Sequence, residues 1–150
     1  MLRRFTSADW AGALGVAFGL AAAYLPWYSY TSGAARITVT GFRASVLGDV
    51  FFLTVAAAVA LLLSRHGYID ERLAARVRPR AASAALAATA AATVVLQFIL
   101  VAGGGRSAGG GLLLALVATI ALGGSAWLLP PDTHSRQSGN GTTGRELLSG

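Results

Sequence analysis

Residues 25–42, LPWYSYTSGAARITVTGF, close an apolar run, cross a Pro-Trp-Tyr step and then alternate small, polar and β-branched side chains. Pro26 has no N–H to donate and biases Leu25 toward extended backbone, so a helix arriving from the N-terminal side ends here. Beyond it, residues 28–31 (YSYT) and 36–40 (RITVT) alternate, with Ile37 and Val39 on one side and Arg36, Thr38 and Thr40 on the other. Ser32-Gly33-Ala34-Ala35 has the length and composition of a hairpin turn. An isolated two-stranded hairpin is marginal in water, so it is expected to lie on a larger body with Ile37 and Val39 inward. Arg36, Thr38 and Thr40 are then the candidate outward recognition side chains.

The larger body is given by the rest of the 150 residues, of which 55% are apolar and 12% charged, with a mean hydropathy of +0.61. The apolar residues fall in blocks long enough to cross a bilayer, about 10–28, 46–63, 81–102 and 111–129. In hydrocarbon such segments must be helices, because no water is there to satisfy the backbone. The expected fold is an all-α membrane protein: a four-transmembrane-helix bundle over 1–129, with a short extracytoplasmic β-hairpin between helices one and two. Trp10, Trp27, Tyr28, Tyr30 and Trp127 are expected at the membrane interfaces.

All twelve basic residues are Arg, and their distribution sets an orientation. Nine lie in the N-terminus, the 64–80 connection and the C-terminal tail; Arg36, Arg43 and Arg106 lie on the other side. The positive-inside rule then places both termini in the cytoplasm and the 31–45 and 103–110 connections outside. The charges flank apolar spans without a fold that would present them to a groove, so nucleic acid is excluded as a partner. Arg3 and Arg4 followed by an apolar stretch and Ala21-Ala22-Ala23 also allow a cleaved signal peptide, although the run continues to Leu25 as a retained span does. Within the 64–80 connection, Ile69, Leu73 and Val77 share a helical face opposite Arg72, Arg76 and Arg80, the pattern of a short helix at the lipid headgroups. Residues 130–150 are rich in Gly, Ser and Thr and read as a disordered cytoplasmic tail; the sequon Asn140-Gly141-Thr142 falls there and carries no weight.

Chemistry has few places to sit. Asp49 reads as the sole acid near a span, in the first turn of the second helix, where the helix dipole favours it. Gln97 is the one strongly polar side chain deep in the third span, at a similar depth, and with Arg43 the two form a candidate polar site. Ala11, Gly15, Gly19 and Ala23 repeat at four-residue spacing on helix one, a row of small residues that lets another helix approach closely. Small residues at the cytoplasmic end of the third span suggest that helices one and three pack there. His66 and His134 are isolated and read as solvated, and the glycines around Arg106 read as a flexible turn. With no Cys, no paired carboxylates and no Ser-His-Asp set, neither a metal site nor a cofactor nor a catalytic centre is expected.

The segment LPWYSYTSGAARITVTGFRASVLGDVFFL resembles small four-helix membrane proteins common in actinobacteria, through Leu25, Pro26, Trp27, Tyr28, Gly41, Phe42 and Asp49. The resemblance implies the topology and no activity. The expected function is non-enzymatic: an accessory or scaffold component of a bacterial plasma-membrane complex, partnered by lipid and by another membrane protein or its own copies. A small transporter or channel, with the polar site near Asp49 and Gln97, is the alternative.

Overall fold

The computed structural model describes residues 5–69 and 78–131. The element order is α1 (Ser7–Tyr24), β1 (Pro26–Ser32), β2 (Ala35–Thr40), α2 (Gly41–Ala44), α3 (Val46–Arg65), α4 (Pro79–Gly103), β3 (Ser107–Ala108) and α5 (Gly110–Leu128). Most of the expected amphipathic helix of the 64–80 connection and nearly all of the tail lie outside the described residues.

Three helices, α3, α4 and α5, are long and apolar enough to cross a membrane. Their outer surfaces are as apolar as their inner ones, with Leu53 70% and Ile120 67% exposed. Helices apolar all round belong in a lipid or protein surround, since water would leave that surface uncovered. α1 is shorter, and carries Asp9 in a capping box with Thr6. It ends at Tyr24 with Leu25 extended, so the expected span to residue 28 is corrected: Pro26 to Tyr28 belong to a strand.

The four long helices form a ring in which α1 packs on α3 and α5, and α4 packs on the same two. Contacts between opposite helix ends make every neighbouring pair antiparallel: Asp9 of α1 meets Arg65 of α3, and Ser125 of α5 donates to the Ala8 carbonyl of α1 at 2.8 Å. α1 and α4 sit diagonally, which corrects the expected packing of helices one and three. Small residues set the spacing. A Cβ on Gly15 would lie 2.9 Å from Leu122 Cγ, and one on Gly19 would lie 2.7 Å from Val55 Cγ2. Gly12 joins this face while Ala11 is half-buried, because the helical repeat carries a strict four-residue row off the contact line.

One end of the ring is capped by a sheet in the order β2-β1-β3, antiparallel throughout. The hairpin turn has Gly33 at φ 62 and Ala34 at negative φ, the pattern of a type II′ turn. The expected glycine turn is present at Gly104 and Gly105, the latter at φ 62, and leads into a third strand: Ser107 and Ala108 pair with Ser29 and Tyr28, and Gly109 N–H donates to the Trp27 carbonyl at 2.8 Å. A Cβ on Gly109 would collide with the Pro26 carbonyl, which is backbone and cannot move aside. Gly109→Ala is therefore expected to cost about 1–3 kcal/mol, read as a lowered unfolding midpoint in detergent, because the sheet must separate from α5 to admit one methyl.

Candidate functional site

The side chains with chemical capacity gather at the two ends of the bundle. At the sheet end, Trp27 is the residue around which the local structure is built. β1 carries one extra residue between its Thr40 and Val39 pairings, so Trp27 leaves the alternation and turns inward. It is fully buried, its Nε1 donates to the Ala22 carbonyl at 2.8 Å, and its ring meets Phe51 edge-on at 5.6 Å. Glycines make the room: a Cβ on Gly41 would lie 2.6 Å from Trp27 Nε1, and one on Gly111 would lie 2.8 Å from Cδ1. Tyr28 is also buried and donates from its hydroxyl to the Ala44 carbonyl at 3.1 Å. Both residues were expected at a membrane interface; the bulge draws them into protein instead. Trp10 and Trp127 are exposed, and Tyr30 is 37% exposed.

Around this core lie three Arg. Arg36 donates from Nε and Nη2 to Ser29 Oγ at 3.3 and 3.1 Å, reaching back across the hairpin. Arg106 stacks over Tyr28 at 5.0 Å and Tyr30 at 5.8 Å. Arg43 is exposed on α2. Val39 packs against the core, whereas Ile37, expected inward with it, is 38% exposed, because it sits farther out along the hairpin than the bundle reaches. Thr38 is exposed and Thr40 half-buried.

The expected polar site takes a different form. Gln97 is 2% exposed and its Oε1 accepts from Ser45 Oγ at 3.0 Å, joining α4 to the start of α3. Asp49 is exposed, and among the described residues no hydrogen bond links it to Gln97 or Arg43. Deeper in the bundle, Thr54, Thr93 and Thr119 each donate at 2.8 Å to the carbonyl four residues back. Their hydroxyls are thereby satisfied within their own helices.

The opposite end holds a cluster that hydropathy did not single out. Asp9 Oδ2 accepts from Thr6 N at 2.9 Å and Thr6 Oγ1 at 2.7 Å, while Asp9 N donates back to Thr6 Oγ1 at 3.3 Å. Its other oxygen, Oδ1, has Arg65 Nη2 at 2.8 Å and His66 Nε2 at 3.8 Å. Among the described residues, neither Oδ1 nor His66 Nε2 has an aligned hydrogen-bond partner. The His66 ring stacks on Phe5 at 4.5 Å, so it is held by protein rather than solvated as expected. Two donors from Thr6 and the Arg65 guanidinium thus surround a carboxylate that the fold buries. The charges also suit the helix dipoles, with the anion in the first turn of α1 and Arg65 in the last turn of α3. A cleft of about 550 Å³ opens here, lined among others by Asp9, Arg65, His66, Pro79 and Leu129.

Fold and site together define a mostly helical protein with three membrane-capable helices, a three-stranded antiparallel cap at one end and an ionic cluster at the other. Compared with protein-family models, curated proteins and solved structures, the chain matches none of them.

Proposed function

We propose that this chain is a multi-pass, non-enzymatic protein of the bacterial plasma membrane, serving as an accessory or scaffold component of a membrane complex. In this reading α1 crosses the bilayer beside the three apolar helices, giving a four-helix transmembrane bundle with both termini cytoplasmic. The sheet cap faces outward and the Asp9 cluster faces the cytoplasm. α1 has 18 residues, which at about 1.5 Å per residue spans most of a hydrocarbon layer of about 30 Å, and Asp9 lies at its edge. The Arg distribution supports the same orientation.

The observation that carries the scaffold reading is the state of the interior. Its middle is filled by interlocked small and apolar residues, and its three buried Thr hydroxyls are turned onto their own helices. A transport path needs polar groups facing a shared cavity, so the surfaces and the two ends are left as the working parts. Gln97 with Ser45 is the feature a transporter reading would start from.

The absence of Cys makes the test direct. Single cysteines at Gly33 and Tyr68 are to be labelled with an impermeant maleimide in intact spheroplasts and in inverted vesicles. Gly33→Cys should label from outside and Tyr68→Cys only in inverted vesicles, and tagged chain at native expression should purify with a stoichiometric membrane partner. Labelling of Gly33→Cys from the cytoplasmic side would sink the topology. Solute flux in reconstituted liposomes, abolished by Gln97→Leu, would replace the scaffold reading with the transporter.

A further inference from the structure

β2 is an edge strand: of the described elements it packs against β1 and the short α2 that follows it. The two-residue turn makes Ser32 and Ala35 the first bonded pair, and bonding alternates from there to Tyr30–Ile37 and Tyr28–Val39. The N–H and C=O of Arg36 and Thr38 therefore point away from β1, along an open edge. Native edges are ordinarily blunted by Pro, by a bulge, by a very short strand or by a charged side chain thrown across them. β2 runs six residues without Pro, and the irregularity of this sheet lies in β1. Its one charged side chain, Arg36, leans the other way, onto Ser29. The edge is thus left able to pair. Arg36 stands exposed on this strand, Arg43 is exposed on α2, which packs on it, and Arg106 lies across the same sheet, against a single carboxylate among the described residues at this end of the bundle, Asp49. That positive surplus opposes pairing with a second copy of this chain and favours a strand of opposite charge.

We propose that the outer edge of β2 is a docking site for an extended acidic segment of another polypeptide, which adds to the sheet as a fourth strand beside Arg36 and Thr38. Main-chain hydrogen bonds would hold the segment and its carboxylates would meet Arg36 and Arg43. The proposal deepens the scaffold reading by naming the partner chemistry, and it does not depend on which side of a membrane the cap faces.

The test uses the full chain in neutral detergent and a fluorescent decapeptide alternating Glu and Thr, followed by anisotropy. The acidic peptide should bind at least about tenfold tighter than a Lys-Thr counterpart, and about 0.5 M salt should weaken it several-fold. Thr38→Pro removes the outward N–H while leaving the bonds to β1, and should weaken binding by about tenfold or more at an unchanged unfolding midpoint. Peptide N-methylated at alternate residues should lose binding similarly, which tests the pairing even if the Pro variant does not fold. Arg36→Glu with Arg43→Glu should reverse the peptide preference. Equal binding of acidic and basic peptides, or undiminished binding of the N-methylated one, would overturn the proposal. So would disulfide cross-linking of Thr38→Cys between copies with exclusion of the peptide. Maleimide labelling of Gly33→Cys decides the topology separately, so either reading can fail without the other.

Discussion

Trp27→Ala is expected to lower the unfolding free energy of the detergent-purified protein by about 3–5 kcal/mol, the range for emptying a fully buried large aromatic site. The site has little means of collapsing. Its walls include the backbone at Gly41 and Gly111, two Phe rings, and the sheet that carries Trp27 itself. Trp27→Phe separates the terms: it retains much of the volume but leaves the Ala22 carbonyl without its donor, for about 1–3 kcal/mol. Trp127→Ala is the matching control. That side chain is 80% exposed, and its loss should move stability by no more than about 0.5 kcal/mol. Chemical denaturation followed by fluorescence measures all three, and a Trp27→Ala protein as stable as the Trp127→Ala control would refute the socket.

The second large effect concerns the ionic cluster. Arg65→Ala leaves the Asp9 carboxylate buried without its cation, and a loss of about 3 kcal/mol or more is expected. Asp9→Asn should cost less, because Arg65 is partly exposed and can extend its guanidinium to water. The double variant should recover part of the Arg65→Ala loss, since it no longer buries an uncompensated charge.

These two features mark the limits of what the sequence discloses. Hydropathy locates three apolar helices to within about two residues, and alternation around Gly33 locates the hairpin, because both signals are periodic and local. Trp27 is read wrongly for a physical reason: an aromatic after a helix end suits a membrane interface and a protein core equally. What turns it inward is a one-residue bulge, which alternation does not encode. β3 has two residues, too few for any period to register. Asp9 precedes the apolar run counted from Trp10, yet Thr6-x-x-Asp9 is a capping-box signature and would have placed it inside a helix. Its pairing with Arg65 is hidden, because an Arg at that position already satisfies the positive-inside pattern. Gln97 lies level with the start of α3, near Asp49 in height along the bundle, but bonds to Ser45. Depth follows from residue count, whereas facing follows from packing, and helices apolar all round carry no pattern to announce it.

The Trp27 socket also has an order of assembly written into it. Its indole emerges on the ribosome just after the first helix, but Gly111, which closes over the ring, and Gly109, which packs on its backbone, follow more than half the chain later. Until α5 arrives, the largest buried side chain of the protein has no lid, and the central strand lacks one neighbour. A chain stopped after α4 would therefore display an uncovered tryptophan at the bundle's end. Closure of the core is thus deferred to α5, so burial of this one indole reports that all four long helices are in place.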